Sequence, residues 1–274
     1  MPTVSHGDVE IHYEDTGGSG RPVVLIHGWP LSGASWSELT PALQDEGYRV
    51  VAYDRRGFGQ SGKPGEASSY DYDTLTSDLD ALLTELDLSD VTLVGFSMGG
   101  GEVARYVGRH GADRVRSVVF AAAIPPCLLK DDEHPDGALD LETVAGMQGQ
   151  LREDPPGFLD GFTTNFFSAG GELKVSEEQR QQAVTIAKQA DVHAAVMCIR
   201  SWVEDFTDDL ANVTVPTLVI HGDSDGIVPL EKSGQRTHEQ VAGSELHVVA
   251  DGPHGINVSH AEEFNTTLIA FLAR

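Results

Sequence analysis

Short apolar runs alternate with stretches of helical periodicity along most of the chain. Seven runs of five to seven residues, rich in Val, Ile and Leu, have the length and composition of strands. Five stretches between them carry apolar residues three or four positions apart, as amphipathic helices do. Several runs are apolar without alternation, which is typical of strands buried on both faces. The pattern therefore predicts an α/β fold with a mostly parallel, doubly wound sheet. The predicted strands are Val9–Glu14, Val23–His27, Arg49–Tyr53, Val91–Gly95, Val115–Ala121, Thr217–His221 and Glu245–Val249. The predicted helices are Trp36–Asp45, Thr74–Asp87, Gly100–Arg109, Glu231–Val241 and Ala261–Leu272.

The alternation of strands and helices is interrupted once, between about residues 125 and 206. No strand pattern occurs there, and two Pro-Pro pairs divide segments that otherwise have helical spacing. Such a segment, inserted between two core strands, predicts a helical cap. We therefore expect a core formed by residues 1–124 and 207–274, with residues 125–206 as the cap.

The predicted cap is rich in aromatic residues at helical spacing. Phe158, Phe162 and Phe166 follow one another at intervals of four residues, and Trp202 lies near the end of the cap. The simplest role of any one of these rings is to pack between the cap and the core. A cap that covers a cleft also needs an apolar underside, so we expect Phe162, Phe166 and Trp202 to line a substrate pocket together with Pro30 of the core.

The stretch "VTLVGFSMGGGEVARYV" carries the clearest chemical signal. A strand pattern leads into Gly95-Phe96-Ser97-Met98-Gly99, and a helical pattern follows. In this strand–turn–helix context the Gly-x-Ser-x-Gly motif predicts a nucleophile elbow. Its sharp turn leaves room only for small flanking residues, here Gly95 and Gly99. Ser97 is therefore the predicted nucleophile, near the positive end of the following helix.

A serine needs a base, and the base needs a group that orients it. A nucleophile elbow predicts the chain order Ser, then Asp or Glu, then His. His254 is the predicted base, because it lies in a tight loop after a strand, and His260 is expected to be a surface or capping residue. For the acid we favour Asp225 over Asp223, which we expect to serve the turn after its strand, and over Asp251.

Attack by the serine creates an oxyanion that backbone N–H groups must hold. One donor is the residue after the nucleophile, here Met98, and the other belongs to the loop after an earlier strand. That loop contains His27-Gly28-Trp29-Pro30. Since Pro30 has no N–H, the sequence assigns the second donor to Trp29.

The charge balance excludes some classes of partner. Eighteen basic residues against 43 acidic ones give a net charge of −25, so we expect neither nucleic acid nor an anionic membrane as partner. Lysine is scarce, and an acidic, lysine-poor surface stays soluble at high salt. A salt-loving source is one hypothesis, and an ordinary acidic enzyme is the other.

Targeting and metal signals are weak in this sequence. No apolar run approaches the ~18–20 residues that span a bilayer, and the first ten residues lack the features of a signal peptide. Cys127 and Cys198 are too few for a disulfide framework and have no metal-site spacing. We expect a soluble, cytoplasmic protein without a metal site.

Beyond these single motifs, the sequence resembles the alpha/beta-hydrolase superfamily, and within it the cofactor-free haloperoxidases, perhydrolases and aryl esterases, a branch that also includes a gamma-lactamase. The segments that carry the resemblance are "HGWPLSG", "YDRRGFGQS", "GFSMGGGEVARYV", "PPCLLKDDEHPDG", "EDFTDDL", "HGDSDGIVP" and "PHG". The resemblance implies an alpha/beta-hydrolase fold with an inserted helical cap. It matches Ser97, Asp225 and His254 to the catalytic triad, and Trp29 and Met98 to the oxyanion hole.

The resemblance also implies an activity. Such enzymes hydrolyse small esters and form peracids from a short carboxylic acid and hydrogen peroxide, without haem, metal or flavin. Pro30 resembles the perhydrolase version of the oxyanion loop, where it turns the Trp29 carbonyl toward a bound peroxide; the alternative is that Pro30 only fixes the turn. Hydrolysis of lactams or amides by the same residues, and ligand binding without catalysis, are the competing functions. The expected partners are a small ester or carboxylic acid with water or hydrogen peroxide, and a homo-oligomer is compatible with the sequence.

Overall fold

One eight-stranded sheet forms the centre of the molecule. The computed structural model describes residues 2–274, and the strand order in the sheet is β1-β2-β4-β3-β5-β6-β9-β10. Strand β2 runs in the opposite direction to the other seven strands of this sheet. The strands are β1 (Thr3–His6), β2 (Val9–Asp15), β3 (Pro22–Ile26), β4 (Arg49–Tyr53), β5 (Val91–Phe96), β6 (Val115–Ala121), β7 (Ser168–Ala169), β8 (Glu172–Leu173), β9 (Thr217–Gly222) and β10 (Glu245–Val249).

Eleven helices are described besides three short 3₁₀ helices. None of those within residues 2–274 is long and apolar enough to cross a bilayer. The helices are α1 (Leu39–Asp45), α2 (Tyr72–Glu85), α3 (Met98–His110), α4 (Leu141–Glu153), α5 (Pro155–Phe166), α6 (Glu177–Ala187), α7 (Val192–Ser201), α8 (Thr207–Leu210), α9 (Gly234–Gln240), α10 (Ile256–Ser259) and α11 (Ala261–Leu272). The 3₁₀ helices are Gly33–Trp36, Ala67–Tyr70 and Leu230–Lys232.

The seven strands predicted from apolar runs are all present, with ends within one residue of the prediction. Strand β5 is buried along its whole length, as expected for a central strand covered on both faces. The mostly parallel sheet is therefore confirmed. The additional edge strand, β1, was missed because Val4 is its only apolar residue, and it forms by pairing with β2 across a turn in which Gly7 has a positive φ of 60°.

Two predicted helices are shorter than expected. The stretch predicted as Trp36–Asp45 is a 3₁₀ helix that ends at Trp36, followed by α1 from Leu39. Pro41 explains the late start, because a residue without an N–H fits the first turn of a helix but breaks its interior. The predicted helix Glu231–Val241 is likewise divided, since its first residues form a 3₁₀ helix and α9 begins at Gly234.

The helices α4 to α7 lie in the segment predicted as a cap. The second Pro-Pro pair begins α5, where missing N–H groups cost nothing. The expectation of no strand was wrong in one detail, because β7 and β8 form a two-residue hairpin across Gly170 and Gly171, both with positive φ. The boundaries at residues 125 and 206 stay a prediction.

Candidate active site

The sharp turn Gly95–Gly99, here called the elbow, presents Ser97 between β5 and α3. Ser97 has φ 53° and ψ −119°, a strained conformation for a residue with a side chain. A Cβ at Gly95 would lie 2.4 Å from the Gly99 carbonyl oxygen, and one at Gly99 would lie 2.4 Å from the Ile26 carbonyl oxygen. Glycine is therefore required at both flanking positions, as the sequence motif indicates.

Asp225 and His254 lie side by side although 29 positions separate them. Nδ1 of His254 donates to Oδ2 of Asp225 at 2.7 Å, and both side chains are fully buried. The other oxygen, Oδ1, accepts the N–H groups of Ile227 at 2.9 Å and Val228 at 2.8 Å. Burial alone would raise the pKa of Asp225, but the charge of His254 and hydrogen bonds from His221 and His254 hold this pKa below its ordinary range. The carboxylate is therefore ionised and orients the imidazole.

The imidazole of His254 lies against the elbow. Its ring centroid is 5.3 Å from that of Phe96, the residue before Ser97, and 5.0 Å from that of Phe166. Nε2 of His254 is buried and has no hydrogen-bond partner within residues 2–274. The nitrogen that a general base uses is thus left free of protein partners.

The other polar candidates near this edge of the sheet have different partners. Oδ1 of Asp223 accepts the N–H of Asp251 at 2.8 Å, and Asp251 forms an ion pair with Lys174 at 2.6 Å. His260 precedes α11 and contacts the Ser259 hydroxyl at 2.9 Å. Across the described part of the chain, no group of three or more His, Cys, Asp or Glu side chains could hold a metal ion.

The loop after β3 packs directly against the elbow. A Cβ at Gly28 would lie 3.1 Å from the Cβ of Ser97, so the two backbones are close together. The Leu31 N–H donates to the Gly28 carbonyl at 3.0 Å across a cis Trp29–Pro30 bond. The indole of Trp29 is buried and donates to the Ala195 carbonyl at 3.0 Å. The predicted donor Trp29 is therefore held at both its backbone and its side chain.

A buried polar cluster joins this loop to α3. Arg55 donates from Nε to Glu102 at 2.6 Å and from Nη2 to the His27 carbonyl at 2.7 Å, and the Tyr53 hydroxyl donates to Glu102 at 2.6 Å. The Arg55 N–H donates to Nε2 of His27 at 2.9 Å, so Nδ1 carries the proton that is donated to the Gly28 carbonyl. Burial and the Arg55 charge lower the pKa of His27, which keeps it neutral. The cluster therefore braces the loop after β3 against α3.

An apolar cavity of about 230 Å³ opens at Ser97. Trp29, Phe162 and Trp202 are among the residues that line it, and their rings contact one another with centroids 4.8 Å to 6.4 Å apart. Asn165 contributes a polar side chain that the sequence pattern did not single out. The cavity suits a small apolar group held next to the serine.

Two residues that we expected at this pocket are absent from its lining. Phe166 lies one turn beyond Phe162 on α5, and its ring packs edge-on against His254 instead. Pro30 is buried, and Trp29 is the residue of this loop that lines the cavity.

The position of His221 at the end of a strand predicts either a core histidine or one that supports the site residues, and in the structure it touches the Asp225 carboxylate. Its Nε2 lies 3.3 Å from Oδ2 of Asp225 and 2.8 Å from the Val228 carbonyl oxygen. The only signal in the sequence is the spacing of four residues within "HGDSD". That spacing brings the two side chains together only because the strand ends between them.

Known proteins resemble this chain in fold and in sequence over nearly its full length. A family model described as the alpha/beta hydrolase fold matches residues 21–261. The non-heme chloroperoxidase CPO-A1 of Kitasatospora aureofaciens is 44% identical over 99% of both chains. A bifunctional esterase/perhydrolase of Acinetobacter calcoaceticus is 35% identical over 96% of both. The crystal structure of a bromoperoxidase from Bacillus anthracis superposes with a TM-score of 0.96 at 50% identity, covering 100% of this chain and 99% of that one. The chain therefore belongs to the alpha/beta hydrolase family, in its branch of non-heme haloperoxidases.

Proposed function

We propose that the protein is a serine hydrolase that cleaves small carboxylic esters through an acyl-enzyme, and that it also forms peracids from a short carboxylic acid and hydrogen peroxide. The observation that carries the proposal is the bond from His254 to Asp225, with the free Nε2 beside the elbow that presents Ser97. Relatives named as chloroperoxidases and as an esterase/perhydrolase support the same pair of reactions.

In the proposed first half-reaction Ser97 Oγ attacks the ester carbonyl. Nε2 of His254 takes the hydroxyl proton and then gives it to the departing alcohol, which leaves the acyl group on Ser97. Asp225 stabilises the imidazolium that forms between these steps. General acid–base catalysis of this kind contributes typically ~10²–10⁴-fold in rate.

The oxyanion is held by two backbone donors in this proposal. Met98 is the first residue of α3, and the first N–H groups of a helix have no acceptor within the helix. Trp29 supplies the other N–H, because its neighbour Pro30 has none. Support comes from the close approach of the Gly28 and Ser97 backbones, which lets both donors face one carbonyl oxygen.

Perhydrolysis uses the same acyl-enzyme with a different nucleophile. Hydrogen peroxide gives a proton to His254, and the peroxide oxygen that loses this proton attacks the acyl carbon. The bond from the acyl carbon to Ser97 Oγ then breaks, Ser97 recovers the proton from His254, and a peracid leaves. The Trp29 carbonyl is the proposed acceptor for peroxide, with its direction set by Pro30. A Pro30→Leu variant should lower the ratio of perhydrolysis to hydrolysis, whereas an unchanged ratio would leave Pro30 as a turn residue only.

The size of the cavity limits the acyl group. At about 30 Å³ for each water-sized unit, 230 Å³ corresponds to roughly eight such units. Short acyl chains and small aryl groups fit within that volume, and its apolar lining favours uncharged ones. We therefore assign short-chain and aryl esters as substrates.

Turnover of p-nitrophenyl acetate by a Ser97→Ala variant tests the proposal directly. We expect activity to fall to background and labelling by a fluorophosphonate probe to disappear, because the variant has no nucleophile. Ser68→Ala is the matched control, since Ser68 is exposed on the surface. Retained turnover or labelling in Ser97→Ala would refute the mechanism.

The acidic composition supports a second proposal, that the protein works at high salt. Its net charge of −25 is carried by 43 acidic residues, against five lysines among 18 basic ones. Salt screens the mutual repulsion of these charges and so stabilises the compact state. The unfolding temperature and the activity, both measured from low to molar salt, should rise together, and indifference of both to salt would exclude the idea.

A further inference from the structure

A second histidine shares the carboxylate that orients His254. His221 is the next-to-last residue of β9, and its side chain is fully buried, like that of Asp225. Its Nε2 lies 3.3 Å from Oδ2 of Asp225, the same oxygen that accepts from His254 at 2.7 Å. One carboxylate oxygen therefore has two imidazole neighbours.

The partners of His221 define which nitrogen carries its proton. Nε2 lies 2.8 Å from the Val228 carbonyl oxygen, and a carbonyl only accepts, so Nε2 is the donor. Its N–H is shared between that carbonyl and Oδ2 of Asp225. Nδ1 is buried without a partner in the described chain, and a Cβ at Gly234 would come within 2.5 Å of it.

His221 and His254 are the titratable groups that act on this carboxylate. Charged side chains on the neighbouring elements have other partners. On α9, Arg236 donates to the Cys127 carbonyl at 3.3 Å and His238 contacts the Ser244 hydroxyl at 2.8 Å. On β10, beside β9, His247 pairs with Glu263 on α11 at 2.8 Å. The two histidines are therefore the titratable side chains that contact the Asp225 carboxylate.

We propose that His221 is a positioning residue that holds Oδ2 of Asp225 and limits how strongly this oxygen accepts from His254. The proposal rests on the proposed function, in which His254 is the base. A donor to a carboxylate oxygen stabilises the charge there and leaves less of it for a competing donor. Without His221, Asp225 should stabilise the protonated form of His254 more strongly, so the base would be lost to protonation at a higher pH.

The test is the pH profile of kcat/KM for p-nitrophenyl acetate in the full-length chain. In His221→Leu the midpoint of the acidic limb should move to higher pH by about half a unit, because the second donor is gone. His221→Gln should restore the wild-type midpoint, since its amide nitrogen reaches close to the position of Nε2. In His221→Leu the proton NMR signal of the His254 Nδ1–H should also move to lower field.

His12→Leu is the matched control for loss of a buried histidine. His12 is 4% exposed and bonds to Pro2 and Gln60, away from the site, so its loss should affect stability without moving the midpoint. A His221→Leu midpoint within about 0.1 unit of wild type overturns the proposal, whatever happens to kcat, because a loop support alone predicts that result. A midpoint in His221→Gln that moves with that of His221→Leu overturns it as well.

Two further arms keep the test decisive. If His221→Leu does not fold, His221→Asn replaces it, because the shorter amide stops near the Nδ1 position and cannot reach Asp225. Ser97→Ala is measured in parallel. Retained turnover there overturns the proposed function, whereas loss of turnover there with an unmoved His221 midpoint overturns only the present inference. The NMR signal reports on His254 and Asp225 without any turnover.

Discussion

Adding one methyl group at Gly28 should displace the proposed oxyanion donor, the Trp29 N–H, which no side-chain deletion can remove. A Cβ there would lie 2.8 Å from Cδ1 of Phe96 and 3.1 Å from the Cβ of Ser97. The Phe96 ring cannot retreat, because it is 2% exposed and packs against Trp36, Phe166 and His254 with centroids 5.3 Å to 6.0 Å away. In Gly28→Ala the loop that carries the Trp29 N–H must therefore move away from Ser97.

The size of this movement sets the expected loss. Carbon atoms in contact settle at about 3.5 Å or more, so relief of the 2.8 Å contact at Gly28 needs about 0.7 Å. A donor that starts at ~2.9 Å from the oxyanion would end at ~3.6 Å, where little of a hydrogen bond remains. Loss of one such donor lowers kcat by typically ~10²–10³-fold. Overpacking costs about 1–3 kcal/mol, so Gly28→Ala should still fold.

Steady-state hydrolysis of p-nitrophenyl acetate, with thermal unfolding measured on the same samples, checks the prediction. Gly161→Ala is the control, because nothing lies within 4 Å of a Cβ at Gly161 on α5. It should keep wild-type kcat and unfold no earlier, since alanine favours a helix over glycine. A folded Gly28→Ala protein with wild-type kcat would refute the reasoning, since it would mean that the position of the Trp29 N–H does not govern the rate.

Three other perturbations test the surroundings of the site. Glu102→Gln leaves the buried charge of Arg55 without its partner and should cost about 3–5 kcal/mol in urea unfolding; a loss below about 1 kcal/mol would contradict the cluster's role. Because the pKa of Asp225 is lowered in the folded state, its carboxylate stabilises the fold above about pH 4, the unfolded value, and this contribution is lost as the pH falls toward the folded value. The stability gap between wild type and Asp225→Asn should therefore be full at pH 7 and shrink below about pH 4, and an equal gap at pH 3 would be inconsistent with the shift. Met147→Ala enlarges the cavity and should raise kcat/KM for longer p-nitrophenyl esters by about fourfold per added methylene, relative to the acetate; an unchanged chain-length preference would exclude Met147 from the acyl site.

The centre of the sheet was predictable from sequence because a strand buried on both faces needs a continuous apolar run, which is a local pattern. Short runs with the composition of strands gave seven strand positions to within one residue. The edge strand β1 and the hairpin β7–β8 have no such run, and each exists through pairing with another segment. Local periodicity could not reveal them.

The sequence also predicted the residues of the proposed mechanism, but it did not predict which side chains pack around them. Ser97 lies in a motif whose glycines the turn requires. Phe162 and Phe166 share a helical spacing, but four residues advance a helix by about 6 Å. That distance separates a ring in the cavity lining from one packed against His254. The position at which α5 passes the loop of His254 depends on tertiary structure, and so does the contact of His221 with Asp225.

The order of strands explains why the two halves of the site are held in different ways. Trp29 follows β3 and Ser97 follows β5, and these strands are neighbours, so sheet hydrogen bonds fix the proposed oxyanion donors relative to the proposed nucleophile. Asp225 follows β9, which lies two strands from β5, or about 10 Å at ordinary strand spacing, and His254 follows β10 one strand further. Those residues reach the elbow on loops, and a loop holds a side chain only through added contacts. The N–H groups that bind Oδ1 of Asp225, and His221 at Oδ2, are such contacts. Substitutions near Trp29 should therefore lower the rate of hydrolysis at every pH, whereas substitutions around Asp225 should first alter the pH dependence of that rate.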